Sequence, residues 1–236
     1  MTEFFTEVAE WFADADHWIG ADGIPMRTLE HVWLAVLSTG IGAAVAIPPA
    51  VYLAHRRIGA FTANALINIG RAVPSFGIIV IAGLLFINAG LSLRFWPIVV
   101  ALVALALPPI FTNAYAGISS VERSIVESAR GMGYTDGQIL RSLEMPLATP
   151  VILAGVRIAF VQVMATVPLG AILSSGGGLG QYIVRGFAKG VAGRAEVFCG
   201  ALLVALLTVL ADWTWGKIER AAIDEGVRAI TSGSSP

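Results

Sequence analysis

Charged residues are scarce in this sequence. Asp, Glu, Lys and Arg make up only 13% of the 236 residues, whereas 56% are hydrophobic. A typical soluble domain has roughly a quarter charged residues, and a soluble protein of this size cannot bury so much apolar surface. A lipid bilayer removes that requirement. The composition therefore excludes an ordinary soluble domain and predicts an integral membrane protein.

Cysteine and histidine are also rare. The single cysteine, Cys199, lies in an apolar run, so an intrachain disulfide is excluded and we expect a small buried apolar residue there. His17, His31 and His55 show no metal-ligand spacing and are predicted to lie near membrane edges. The net charge of -1 gives no sign of nucleic-acid binding.

Lysine occurs only twice, at Lys189 and Lys217, and neither is followed by Ser or Thr. A phosphate-binding P-loop requires Gly-Lys-Ser/Thr, so the glycine run at 176–180 is not one. We expect that run to form a tight turn or a short re-entrant segment facing a pore entrance, or otherwise a plain loop. The chain is therefore predicted to have no ATPase site of its own.

Long apolar runs predict an all-α polytopic fold, because about 20 apolar residues are needed to cross a bilayer as a helix. A kink is expected at Pro74, and Pro108-Pro109 are expected to break the third run. The five predicted spans are residues 29–53, 62–87, 95–118, 147–173 and 197–215.

The positions of Lys and Arg predict the orientation, since these residues are enriched in cytoplasmic loops. Five spans put eight of them on one side and five on the other. The first set is therefore expected in the cytoplasm, with the N-terminus outside and the C-terminus inside. It consists of Arg56, Arg57, Arg123, Arg130, Arg141, Lys217, Arg220 and Arg228.

The two ends of the chain differ from its middle. Residues 1–27 are rich in Asp and Glu, with apolar residues at helical spacing, which predicts an amphipathic helix lying in the membrane interface. The alternative, a helix packed on the rest of the protein, stays open. Residues 28–215 form the predicted transmembrane domain, and residues 216–236 form a cytoplasmic tail.

The longest polar segment between spans, 119–146, carries helix-start signals. Ser119 with Glu122, and Thr135 with Gln138, both fit a capping box, in which the first side chain caps a helix and the second reaches back. In the first helix, Val121, Ile125, Ala129 and Met132 recur at helical spacing.

Glycine and proline are expected to end these two short helices. Gly131 and Gly133 can end the first, and Pro146 is expected to stop the second. The product is a pair of short amphipathic helices joined by a glycine elbow, a shape suited to docking into a partner.

This segment resembles the E-A-A signature of ABC importer permeases, which reads E-A-A, three residues, G, nine residues and I-x-L-P. Ser128, Leu143 and Met145 depart from that pattern by small changes. The resemblance implies that the loop inserts into a groove on a cytoplasmic ATPase subunit. The ATPase-coupling residues that it implies are Glu127, Ser128, Ala129, Gly133, Leu143, Met145 and Pro146.

The resemblance extends over residues 28–215 to permeases that import quaternary ammonium osmoprotectants such as glycine betaine, choline and carnitine. It rests on 31–54, 72–75, 108–110, Asn113, Tyr115, 150–158 and 176–180. It implies a type I ABC importer permease fold in a bacterial inner membrane. A permease for methionine or another amino acid is the alternative.

The same resemblance implies the partners of the chain. These are two cytoplasmic ABC ATPase subunits, which bind ATP and Mg, a second permease that is an identical copy or a sister subunit, and an extracytoplasmic substrate-binding protein. The chain itself is expected to hold no cofactor and no metal.

Four polar residues fall in or near the spans: Arg71, Asn113, Arg157 and Asp212. A charge at the centre of a span costs about 2.5–3.5 kcal/mol, so Arg157 requires a partner or a function. We favour a structural ion pair with Asp212 over contact with substrate. A secondary transporter or channel is the other functional class, although its usual internal repeats or filter are not found in the sequence.

Overall fold

The computed structural model describes residues 2–59, 61, 65, 74–91, 95–173 and 176–222, and within these ranges all regular structure is helical. The α-helices are α1 (Thr2–Ala13), α2 (Ile24–His55), α3 (Ser75–Asn88), α4 (Trp96–Ser119), α5 (Arg123–Gly131), α6 (Asp136–Ile139), α7 (Met145–Thr166), α8 (Gly180–Ala188) and α9 (Arg194–Ala222). Short 3₁₀ segments cover Ala15–His17, Val167–Ile172 and Gly190–Gly193, and a π-helical turn covers Leu140–Glu144.

Four helical stretches in the described ranges are long and apolar enough to cross a membrane: Ile24–His55, Trp96–Ser119, Asp136–Ile172 and Gly190–Ala221. They correspond to the first, third, fourth and fifth predicted spans. Of the second predicted span, 62–87, the structure describes the apolar helix α3. This helix has 14 residues and begins after Pro74, where a kink was predicted. Residues 62–64 and 66–73, including Arg71, lie outside the described residues.

The predicted break at Pro108-Pro109 is wrong, because α4 runs through both prolines. Away from water, a broken helix would leave backbone groups without partners, so the remaining helical hydrogen bonds are kept. The next turn adds side-chain bonds: Thr112 Oγ1 donates to the Pro108 carbonyl and Asn113 Nδ2 to the Pro109 carbonyl, each at 2.8 Å.

The chain divides into two compact units. One unit comprises Met1–Ile41, Val73–Ala106 and Phe160–Ala211, and the other comprises Gly42–Ala72, Leu107–Ala159 and Asp212–Pro236. Because α2, α4, α7 and α9 each cross a unit boundary in sequence, every long helix contributes residues to both units.

In the first unit, the N-terminal helix α1 packs against α9. Val8 of α1 forms a buried cluster with Ala195 and Cys199, which is fully buried as expected. Two hydrogen bonds of 2.7 and 2.9 Å join the Arg194 guanidinium to the Glu7 carboxylate. These are the contacts expected of a helix packed on the rest of the protein. The three-part division at residues 27 and 215 stays a prediction.

The glycine run at 176–180 forms a tight turn, as one of the sequence alternatives expected. Gly177 and Gly178 have φ of +100° and +54°. A Cβ on Gly178 would lie 2.6 Å from the Cβ of His31. His31 is fully buried and its Nε2 lies 2.9 Å from the Met164 carbonyl oxygen, so this histidine is held inside the protein.

In the second unit, α4 and α7 approach each other at Gly155. A Cβ there would lie 2.4 Å from the Asn113 Cβ and 3.0 Å from the Pro109 carbonyl oxygen. Small residues allow this closeness between membrane helices, which is what gives their packing its strength. Asn113, predicted as an intramembrane polar residue, is thus engaged in helix packing.

We expect Gly155→Ala to destabilise the protein by about 1–3 kcal/mol, because one methyl group overpacks this contact. Heating the purified chain with a thiol-reactive dye measures the effect, since the one cysteine is buried until unfolding. Gly40→Ala is the control, because no atom lies within 4 Å of a Cβ on Gly40. Equal melting temperatures for the two variants would contradict the close approach.

Candidate coupling elbow and its supports

The predicted pair of short helices is present as α5 and α6, but the first begins later than the sequence indicated. The Ser119–Glu122 capping box is absent, because α4 continues to Ser119 and Glu122 is the N-cap of α5 without a side-chain bond to the helix backbone. The second box is present. The Thr135 N–H donates to Gln138 Oε1 at 2.9 Å, and the Gln138 N–H donates to Thr135 Oγ1 at 3.4 Å.

A tight turn joins the two helices. Gly133 has φ of +91°, the left-handed conformation that glycine adopts without strain. The Tyr134 N–H donates to the Ala129 carbonyl at 3.1 Å and the Gly133 N–H to the Arg130 carbonyl at 3.0 Å. This is the Schellman pattern of helix termination, which satisfies the last carbonyls of α5 and fixes the direction of the turn.

One side of the elbow is buried and the other is exposed. Val121, Val126, Ala129 and Ile139 form a buried cluster, against which Leu143 and Leu147 pack. The predicted apolar face was partly wrong, because Ile125 and Met132 are exposed. The helix starts at Arg123, and its register turns Val126 inward instead of Ile125.

Pro146 does not stop the second helix, contrary to prediction. The chain stays helical from Asp136 to Ile172. A proline ring clashes with the carbonyl four residues earlier in a regular α-helix. Here the preceding turn, Leu140–Glu144, is π-helical, with the Met145 N–H bonded to the Leu140 carbonyl. The wider turn makes room for the ring, so the elbow is joined directly to α7.

The end of α2 is bound to the elbow by contacts that the sequence did not predict. His55 Nδ1 lies 2.5 Å from Glu144 Oε2, and the Glu144 side chain is only 1% exposed. Arg57, which has a positive φ of 55°, donates to the Ser119 and Val121 carbonyls at 2.9 and 3.1 Å. The signal in the sequence was the basic end of α2 together with an acid in the otherwise apolar stretch 143–148.

A second ionic cluster lies between α7 and α9. The Arg157 guanidinium donates to both oxygens of Asp212, at 2.7 and 3.0 Å, which is the predicted pair. It also donates to Glu219 Oε2 at 3.2 Å, a third member that the sequence did not indicate. Two carboxylates thus satisfy one cation, which favours a structural function for Arg157.

Comparison with known proteins places these features in a family. Residues 38–223 match the family described as binding-protein-dependent transport system inner membrane component. The chain belongs to this family. The elbow, the π-helical turn and Arg157 all lie inside the matched region of this inner membrane component.

Relatives of this chain are permease proteins. The choline transport system permease protein OpuBB of Bacillus subtilis (strain 168) is 31% identical over 204 residues, covering 86% of this chain and 90% of the relative. The carnitine transport permease protein OpuCD of Listeria monocytogenes serotype 1/2a (strain 10403S) is 35% identical over 196 residues, covering 81% and 85%.

Solved structures give the same architecture. A chain of the MetNI methionine ABC transporter in an inward-facing conformation superposes with a TM-score of 0.70 at 22% identity, covering 84% of this chain and 95% of that chain. At this identity the likeness shows the fold alone. The predicted all-α permease fold is confirmed.

The residues of the implied coupling set occupy two positions in the chain. One group, Glu127, Ser128, Ala129 and Gly133, lies on α5 and the turn after it, where Glu127 is exposed and pairs with Arg123 at 2.8 Å. The other group, Leu143, Met145 and Pro146, lies on the π-helical turn and the start of α7. Their coupling function, and the pore function of Arg71, Asn113, Arg157 and Asp212, stay predictions.

Proposed function

We propose that this chain is the transmembrane permease subunit of an ATP-driven importer of quaternary ammonium osmoprotectants. The family match over residues 38–223 supports a binding-protein-dependent transport system. The names of its relatives support the substrate class, since they transport choline, carnitine or glycine betaine. The methionine alternative rests only on a structural likeness at 22% identity.

The observation that carries the coupling mechanism is the continuity of the elbow with the membrane helices. Through the π-helical turn, α6 continues into α7, so a force on the elbow acts directly on a helix of the transport path. Through His55 and Glu144, the elbow is also bound to α2. Movement of a docked ATPase would therefore shift two spanning helices together.

The exposed side of the elbow provides the docking surface in this proposal. Ile125, Met132 and Tyr134 are exposed around Gly133, at 41%, 72% and 44% of their surface. Apolar and aromatic side chains with a charged rim are typical of interface centres. Here Glu127, Arg123 and Arg130 are the exposed charged residues on α5.

The remaining partners follow from the same proposal. Two cytoplasmic ATPase subunits bind ATP and Mg, a second permease completes the pathway, and an extracytoplasmic binding protein delivers substrate. This chain has no ATPase site of its own. Its N-terminus lies outside and its C-terminus in the cytoplasm of a bacterial inner membrane, in accord with the distribution of Lys and Arg.

The experiment is uptake into proteoliposomes by the permease assembled with its ATPase and binding protein. Labelled choline, glycine betaine, carnitine and methionine are compared, each with and without ATP. The proposal expects ATP-dependent uptake of quaternary ammonium compounds in preference to methionine. Uptake by the permease alone, without ATP, would instead establish a secondary transporter or channel.

We expect Gly133→Val to abolish most ATP-dependent uptake while the variant still inserts and expresses near the wild-type level. A β-branched residue at φ of +91° is strained, so the turn must open and change the direction of α6. Gly131→Ala is the control, because this neighbouring glycine is the last residue of α5 and has open space around it.

Two measurements check this expectation: co-purification of the ATPase, and substrate-stimulated ATP hydrolysis in the complex. Both should fall in Gly133→Val and remain in Gly131→Ala. Normal uptake by Gly133→Val with its ATPase bound would show that the elbow does not couple ATP hydrolysis to transport.

A further inference from the structure

A cavity of about 730 Å³ opens in the first unit, far in sequence from the elbow. Arg27, Glu30 and Trp33 line it from α2, where a spacing of three residues puts them on one helix face. Asp22, just before α2, and Phe95, just before α4, also line it. Acidic, basic and aromatic side chains therefore share one concave surface.

The two aromatic rings stand nearly at right angles. The Trp33 and Phe95 centroids are 5.5 Å apart with 79° between the planes, so the two ring faces point in different directions. Trp33 lines the cavity and is 48% exposed. Indole faces attract cations more strongly than other aromatic side chains do.

The charged groups form a closed network around this cavity. Arg27 bonds to the carboxylates of Asp22 and Glu30, the second at 2.7 Å, and Arg185 lies 3.1 Å from Asp22. The side chains of Arg27 and Arg185 are 13% and 37% exposed, against 28% for Glu30 and 64% for Asp22. The most exposed member of the network is therefore a carboxylate, that of Asp22.

Asp22 remains ionised in this network. Its hydrogen bond from Arg27 and the positive charge of Arg185 lower its pKa from the ordinary value. At neutral pH the most exposed group of the network therefore carries a permanent negative charge.

The chemistry of the lining selects among cations. A metal ion or a primary ammonium group needs carboxylate oxygens that are free to coordinate or accept hydrogen bonds. Here Arg27 holds Glu30 Oε2, and Arg27 and Arg185 hold Asp22 Oδ1, so these oxygens are already engaged. A quaternary ammonium group has no N–H to donate, and it binds through aromatic faces and the surrounding field alone.

We infer that this cavity is a binding site of the permease itself for a quaternary ammonium group, with Trp33 and Phe95 contacting the methylated head and Glu30 supplying negative charge beside it. The inference rests on the proposed function, which it deepens by giving the permease a substrate contact separate from that of the binding protein. The same head group occurs in phosphatidylcholine, so lipid is a second source of the same chemistry.

The test is equilibrium binding of labelled choline to the permease–ATPase complex without binding protein. The complex is held in nanodiscs of phosphatidylethanolamine and phosphatidylglycerol, which contain no quaternary ammonium. Trp33→Ala should weaken choline binding about three- to thirty-fold, and Trp33→Phe should retain most of it. Trp213→Ala is the control, because Trp213 is comparably exposed and does not line the cavity.

Ligand and lipid comparisons identify what binds. The uncharged isostere of choline, with carbon in place of nitrogen, should bind much more weakly than choline, and Glu30→Gln should weaken choline binding a few-fold. Displacement of choline by phosphatidylcholine in the nanodisc would keep the site chemistry and assign the head group to lipid. Equal binding of choline and its isostere, or wild-type affinity in a folded Trp33→Ala complex, would overturn the inference.

Uptake measurements separate this inference from the proposed function. If wild-type complex with binding protein imports choline and Trp33→Ala imports it with the same kcat/KM, only the cavity site fails. If the wild-type complex imports no quaternary ammonium compound at all, the proposed substrate class itself fails.

Discussion

Arg157→Met is expected to lower the stability of the chain by about 2–3 kcal/mol and to reduce its yield in the membrane. The change removes one cation and leaves the Asp212 and Glu219 carboxylates, both in a candidate spanning helix, without it. Removing one partner of a buried ion pair costs about 3–5 kcal/mol, while exposed pairs contribute about 0–1 kcal/mol. This cluster is partly exposed and lies between those limits.

Asp212→Asn is expected to have a smaller effect, about 1 kcal/mol, because Arg157 keeps Glu219 at 3.2 Å. The double variant should lose less stability than the sum of the two single losses, since the two residues share one interaction. The melting temperature, read by dye labelling of the buried Cys199, measures all three variants.

Lys217→Met is the matched control for this cluster, because it removes a positive charge from the same helix without touching Arg157. Its contact is with the Trp213 ring, 3.4 Å from Nζ to the centroid. Strictly additive losses in Arg157→Met and Asp212→Asn would show that the bidentate pair does not stabilise the protein.

His55→Ala is expected to lower both stability and transport. It leaves the Glu144 carboxylate, 1% exposed, without its partner at the junction of α2 and the elbow. The expected cost is about 3–5 kcal/mol, as for other buried pairs that lose one member. Because the elbow is then held less firmly to α2, ATP hydrolysis in the assembled complex should be less well coupled to uptake.

Two further variants separate the buried charge from the loss of side-chain volume. His55→Ala with Glu144→Met should recover part of the lost stability, because the unpartnered carboxylate is replaced by an apolar side chain of similar size. Arg123→Ala breaks the exposed pair with Glu127 in the same segment and should change the melting temperature little. A melting temperature of His55→Ala equal to that of Arg123→Ala would contradict a stabilising junction.

Transport measurements distinguish a coupling function of the His55–Glu144 pair from a purely structural one. The number of substrate molecules imported per ATP hydrolysed should fall in His55→Ala even at temperatures where the complex stays folded. The double variant should regain its stability more fully than its number of substrate molecules imported per ATP, since an apolar side chain in place of Glu144 packs at the junction but makes no directed bond to α2.

The elbow shows where sequence reasoning succeeded and where it failed. The Thr135–Gln138 capping box and the glycine turn at Gly133 were predicted correctly, because both are local and their geometry depends on neighbouring residues. The Ser119–Glu122 box was wrong although its pattern was equally good. There α4 extended to Ser119, and the packing of the buried cluster decided the start of α5.

The prolines show the same limit. Pro108-Pro109 and Pro146 were expected to break helices, as they do in water. In an apolar environment the continuous helix is favoured, since no solvent is present to satisfy freed backbone groups. Near Pro146 a π-helical turn makes room for the proline ring, and neither the composition nor the spacing of the sequence predicts that turn.

The sequence by itself determined the membrane class, four of the spans, the glycine elbow and the Arg157–Asp212 pair. The membrane class and the spans follow from apolar content and helical length, the elbow from the backbone freedom of glycine, and the pair from the cost of an isolated charge in lipid. Only the tertiary structure decided that His55 meets Glu144, that Glu219 joins Arg157, and that Trp33 and Phe95 share a cavity with Glu30. His55 and Glu144 are 89 positions apart in the sequence, Arg157 and Glu219 are 62 apart, and Glu30 and Phe95 are 65 apart. Packed helices bring these residues together, and no local sequence pattern predicts that packing.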